Sequence, residues 1–69
     1  MIEITAENFE QEVLKSDKIA VVDFYANWCM PCKMMKPVLE NISDEFENLK
    51  VCKVDIDENE TLAQQFNIM

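Results

Sequence analysis

Residues 19–33 read Ile19-Ala20-Val21-Val22-Asp23-Phe24-Tyr25-Ala26-Asn27-Trp28-Cys29-Met30-Pro31-Cys32-Lys33, and this stretch decides the architecture. Its first eight residues are apolar, β-branched or aromatic apart from one acid, the mark of a strand buried on both faces. Asn27 to Pro31 then make a turn. Beyond it Met34, Met35, Val38, Leu39, Ile42 and Phe46 recur at three and four residues, as on one face of a helix from about Met30 to Asn48. Pro37 falls inside that pattern and is expected to kink the helix, because it lacks the amide proton its turn needs.

Working outward, Ile2-Glu3-Ile4-Thr5 alternates apolar and polar and suits a short strand. Thr5 is placed to cap a helix over about Ala6–Lys15, with Phe9, Val13 and Leu14 as its inner face. Val51–Ile56 reads as a third strand, and Asp57-Glu58-Asn59 opens a last short helix that buries Leu62, Ala63 and Phe66. Strand and helix therefore alternate as βαβαβα, which implies an α/β fold with parallel, right-handed crossovers. With 69 residues the chain holds one domain, 1–69, and a core of this size supplies no more than about 3–5 kcal/mol of net stability. Glycine is absent, so turns must rely on Asn, Asp and Ser.

Charge excludes several function classes. Fourteen acids against six cations leave a formal charge of −8 and no basic stripe to track phosphates, so nucleic acid is not an expected partner. The same acidity repels an anionic membrane surface, and no apolar run approaches the roughly 20 residues of a membrane span. Met1–Glu12 carries acids where a signal peptide would carry cations, so a cytoplasmic location is the expectation. There thiols stay reduced, and a close cysteine pair reads as catalytic or metal-binding before it reads as a staple.

The chemistry centres on Trp28-Cys29-Met30-Pro31-Cys32-Lys33, between the apolar strand and the long helix. Cys29 falls at the helix N-terminus, where unpaired amides and the macrodipole stabilise a thiolate, the species that attacks disulfides. Cys32 lies one turn further in on the same face, close enough to close a small ring with Cys29. Pro31 fits the first turn, where its missing donor costs nothing. From Phe24 to Leu39 the only charges are Lys33 and Lys36, which also favours a thiolate. Asp23 interrupts the apolar strand; a carboxyl in such surroundings holds a proton at higher pH and suits a base that relieves Cys32 of its proton. Lys53 reaches toward Asp23 if the second and third strands are neighbours. Met30 is expected to be exposed beside Cys29, and Cys52 to be a small buried hydrophobe.

Val22 to Lys33 resembles the active-site segment of the thioredoxin family, and Pro37 and the Lys53-Val54-Asp55-Ile56-Asp57 segment also match its pattern. The resemblance implies a thioredoxin-like fold and reduction of protein disulfides. Matched by position, Cys29 is the nucleophile, Cys32 the resolving thiol, Asp23 the proton acceptor and Lys53 its tuner. Trp28, Met30 and Pro31 would meet the substrate, with Trp28 packed beside the redox disulfide. No metal or other cofactor is expected in the chain, and an NADPH-dependent flavoprotein reductase is the implied electron donor.

Met30 stands where the family usually has glycine, and Tyr25 where many members have tryptophan. The family also continues past the residue matching Met69 into a cis-proline loop, a β-hairpin and a last helix. The expected structure is therefore an incomplete thioredoxin-like domain with a mainly parallel three-stranded sheet. In it residues 19–26 form an exposed edge that pairs two copies into a homodimer. The missing loop implies weak, unselective reductase activity. Two rivals stand beside the oxidoreductase reading. One is a non-catalytic fragment that dimerises or complements a C-terminal part; the other is a metal site of four cysteines shared by two chains.

Overall fold

A computed structural model describes residues 1–68 of the chain; Met69, the last residue of the expected domain, lies outside the described residues. The elements are β1 (Ile2–Glu3), a single π-helical turn (Glu10–Leu14), β2 (Ile19–Tyr25), α1 (Met30–Glu45), β3 (Leu49–Asp55) and α2 (Glu60–Gln65). The three strands form one wholly parallel sheet in the order β1-β3-β2. The α/β alternation and the adjacency of the second and third strands are as the sequence implies.

The sheet's two faces divide by residue parity, as the two-residue period of a strand requires. Even-numbered Ile2, Ile4, Val22, Phe24, Cys52 and Val54 gather with Leu62 of α2 and with Phe9 and Val13 into the core. Phe66 packs its ring against Phe9 and Phe24, with centroids 5.6 and 5.5 Å apart. Phe66 nevertheless stays exposed on its outer side, so it closes the core as a lid and is not sealed within it. The other face carries Glu3, Asp23, Tyr25 and Lys53, and α1 lies against β3 on that side with Leu39 as its one buried side chain.

Several expectations are corrected. The apolar run 19–26 is not the doubly buried strand; β2 is half-buried, ends at Tyr25 and leaves Ile19 67% exposed. The buried strand is β3, with Val51, Cys52, Val54 and Asp55 inaccessible, because it alone has a strand on each side. β1 is shorter than expected, although Ile4 N–H still donates to Lys53 O at 2.8 Å. α1 stops at Glu45 because Phe46 turns extended and a two-residue turn, closed by Leu49 N–H on Phe46 O, leads into β3, which begins two residues earlier than its apolar pattern suggested.

The expected helix over Ala6–Lys15 is replaced by a turn and the π-helical turn. Thr5 closes only the first turn, its hydroxyl accepting from Glu7 N–H while Asn8 Oδ1 accepts from Thr5 N–H; the π-helical turn has Phe9 as its N-cap residue and no side-chain cap. The chain then closes on the wider Lys15 N–H to Glu10 O bond. Leu14 is 68% exposed and takes no part in the core. Five residues beyond Phe9, it would lie about 140° round even a regular helix.

Asn and Asp take over the turn positions that a glycine-free chain must fill. Asn67 adopts φ 58° after α2, with Asn67 N–H bonded to Gln64 O and Ile68 N–H to Ala63 O. That is the helix-ending pattern in which asparagine is glycine's usual substitute. Asp55 Oδ1 accepts from Asp57 and Glu58 N–H and shapes the turn before α2.

Ile4 is fully buried, so Ile4→Ala is expected to cost about 2–5 kcal/mol in urea unfolding and to leave little folded chain. Leu14→Ala, on the open side of its turn, is expected to stay within about 0.5 kcal/mol of the parent.

Candidate functional site

The site forms where β2 ends. Ile56 N–H bonds to Tyr25 O at 2.9 Å and Cys29 N–H to Ala26 O at 3.1 Å, so the chain leaves the sheet in a tight turn. That turn sets Cys29 as the N-cap of α1, with extended backbone, and Pro31 in the first helical turn. Lys33 N–H to Cys29 O, at 3.2 Å, is the helix's first backbone bond. Cys29 Sγ accepts the Cys32 N–H at 3.2 Å, as a serine or aspartate cap would. A sulfur that accepts a backbone N–H at the positive end of a 16-residue helix is placed to carry negative charge.

Cys29 and Cys32 form a disulfide, their Cα atoms 5.3 Å apart. Both are half-buried, while Met30 and Pro31 are exposed beside them. Trp28 is 68% exposed, and its indole N–H donates to Asp57 Oδ2 at 2.9 Å. The indole is thus tethered sideways to the loop after β3, an anchor that the sequence did not reveal. Cys52, the remaining cysteine, is a free thiol inside the core, and burial pushes its pKa up.

A cleft of about 420 Å³ opens under the disulfide, lined by Cys32, Asp23, Tyr25, Lys33, Lys36 and Lys53 among others. Asp23 and Lys53 are register partners on adjacent strands, as the sequence reading required. Burial raises the Asp23 pKa above its ordinary 3.8. The Lys53 ammonium, however, lies against β1: its Nζ is 3.6 Å from Glu3 Oε1 and 6.0 Å from the centre of the Tyr25 ring. Tyr25 Oη in turn donates to Glu3 Oε2 at 3.2 Å. Burial first and the Glu3 charge second push the Tyr25 pKa up to about 12, so that hydroxyl keeps its proton.

Glu3 and Tyr25 are therefore site residues that the sequence reading did not identify. Glu3 stood in an apolar–polar alternation that marks a strand but does not say which residue it faces. Among the described residues, no group of three or more His, Cys, Asp and Glu is disposed to hold a metal ion. No helix is long and apolar enough to cross a membrane.

The raised Asp23 carboxyl has a testable sign. Folding favours its protonated form, so its penalty is absent well below the ordinary pKa of 3.8 and grows as pH rises through the higher folded value. Asp23→Asn removes that penalty. Urea titrations are expected to show the variant more stable than the parent near neutrality, with the gap closing toward about pH 4.

A family model described as Thioredoxin matches residues 1–69. A thioredoxin of Rickettsia bellii is 47% identical over 66 residues, covering 94% of this chain and 63% of that protein. A thioredoxin of Pseudomonas aeruginosa is 42% identical over 69 residues, covering 99% of this chain and 64% of its own length. A bifunctional thioredoxin reductase/thioredoxin of Mycobacterium leprae is 48% identical over 69 residues, covering 99% of this chain and 15% of that longer protein. The chain thus spans a little under two thirds of the length of the first two relatives. A match along the whole chain, joined to a Cys29–Cys32 disulfide that caps a helix after a parallel strand, establishes that the chain belongs to the thioredoxin family.

Proposed function

We propose that this chain carries a thiol–disulfide oxidoreductase site that reduces protein disulfides through the Cys29/Cys32 dithiol. The observation that carries this reading is the Cys29–Cys32 disulfide at the N-terminus of α1, with Cys29 Sγ already accepting a backbone N–H. In the reduced form the Cys29 thiolate attacks one sulfur of a substrate disulfide. A mixed disulfide forms, and the other substrate sulfur leaves as a thiolate that takes up a proton. Cys32 then loses its proton to Asp23 and attacks Cys29 Sγ. This closes the 29–32 disulfide and releases the second substrate thiol, so that two electrons pass to the substrate.

Asp23 suits the proton-accepting part because it shares the cleft with Cys32 and its carboxyl is shifted toward neutrality. Lys53, its register partner, is the cation placed to tune that carboxyl. Exposed Trp28, Met30 and Pro31 offer the apolar surface for a substrate peptide. The oxidised pair then needs an electron donor. The Mycobacterium leprae relative, by its name both thioredoxin reductase and thioredoxin, favours a reductase in that part, and the family resemblance implies an NADPH-dependent flavoprotein. A cytoplasmic setting fits a dithiol that must return to its reduced form.

Reduction of a small aromatic disulfide, followed by its coloured thiol, tests the reading. Cys29→Ser is expected to abolish turnover, and Cys32→Ser to stop at a mixed disulfide visible by mass. Asp23→Asn is expected to slow the resolving step by about 100-fold. Alkylation of Cys29 with the half-maximal rate at or above about pH 8.5, the value for a free thiol, would overturn the assignment.

The sheet edge supports a second reading, in which two copies pair along β2. Among the described residues β2 has a neighbour on one side only, and exposed Met34, Met35 and Val38 of α1 add apolar surface to the chain. Sedimentation is then expected to give a dimer at micromolar chain; a monomer at every concentration excludes this pairing.

A further inference from the structure

The parallel register sets three charged side chains in one row across the sheet. Glu3 of β1 is the partner of Lys53, and Lys53 is the partner of Asp23 of β2. Partners in register stand on the same face, so one ammonium has a carboxyl on either side. Its Nζ is 3.6 Å from Glu3 Oε1. A second group secures the Glu3 side of the row. Tyr25, two residues beyond Asp23 and on its face, donates its hydroxyl to Glu3 Oε2 at 3.2 Å and lies with its ring 6.0 Å from the Lys53 Nζ.

We propose that Glu3, anchored by Tyr25, is a positioning residue that draws the Lys53 ammonium to the β1 side of the cleft and thereby leaves Asp23 free to hold a proton. Glu3 touches neither the sulfurs nor the substrate; it acts through Lys53 on the carboxyl that serves Cys32. This deepens the oxidoreductase reading and rests on it for its purpose.

The energetics point the same way. Burial is the cause that raises the Asp23 pKa, whereas an ammonium within about 4–6 Å would lower it. The other charged or titratable groups around the row do not supply a substitute for Glu3. Cys32, Lys33 and Lys36 of α1 and the Met1 residue line the cleft, and none is an anion while the disulfide is closed. Asp55, the register partner of Tyr25, and Glu58, beyond the end of β3, act on the Tyr25 hydroxyl. Among the described residues, Glu3 is the carboxylate within 4.0 Å of the Lys53 Nζ.

The test reads the protonation of Asp23, by carboxyl NMR titration of the oxidised chain, in a cycle of Glu3→Gln and Lys53→Met. Glutamine keeps an oxygen for the Tyr25 hydroxyl but gives up the charge. Glu3→Gln is expected to lower the Asp23 midpoint by about one pH unit, as Lys53 turns to its other neighbour. The same change made in Lys53→Met is expected to leave the midpoint where Lys53→Met alone puts it. Tyr25→Phe, which frees the Glu3 side chain without removing its charge, is expected to shift the midpoint in the same direction by a smaller amount. An unmoved or raised midpoint in Glu3→Gln overturns the proposal. So does a shift of undiminished size in the Lys53→Met background, since Glu3 would then act by its own field. No disulfide exchange enters the measurement, so its failure leaves the Cys29/Cys32 chemistry standing, and inactive thiols leave the cycle unaffected.

Discussion

The parallel pairing of β2 on β3 is the constraint on which the site depends. Seven register pairs run from Ile19↔Leu49 to Tyr25↔Asp55. They put Asp23 beside Lys53 and bring the end of β2 level with the end of β3. A shift of one residue would turn Asp23 and Tyr25 into the core and Val22 and Phe24 out of it. The register is therefore held by the apolar set on the even-numbered face, not by the charged row that profits from it. Function on one side of the sheet is positioned by packing on the other.

From that end the chain has little freedom. The turn from Ala26 delivers Cys29 to the first turn of α1, and Pro31 sits in that turn, where an amide proton is dispensable. The thiolate-favouring field thus arises from backbone geometry, the Cys32 N–H being the hydrogen-bond donor to the Cys29 sulfur among the described residues. Below it, burial raises the affinity of the Asp23 carboxyl for its proton. Dipoles favour charge at one sulfur and desolvation disfavours it at the carboxyl, which separates the groups that give and take a proton.

The absence of glycine shows how composition is absorbed by local chemistry. Asn67 takes the left-handed position after α2, Asp55 bridges the turn before it, and Thr5 with Asn8 closes the turn after β1. Each is a side chain that hydrogen-bonds nearby backbone and so holds a bend that glycine would merely permit. The same small chain leaves much of α1 uncovered: Met34, Met35 and Val38 are exposed on a helix that buries only Leu39.

The sequence by itself determined the alternation of strands and helices, the cysteine pair at a helix start, the buried Cys52 and the kinship to thioredoxins. All of these are local patterns of period, capping and spacing, which a one-dimensional string carries in full. It foresaw that 19–26 is a sheet edge but misjudged how deeply that strand is buried, because an apolar run measures what a strand tolerates, not how far its faces are covered. Tertiary structure alone decided that Lys53 stands between two carboxyls, that Tyr25 ties Glu3 in place and that Trp28 is moored to Asp57. Those contacts join residues 22 to 50 positions apart, and only the pairing of parallel strands, fixed by the shared core, brings such distant side chains within reach.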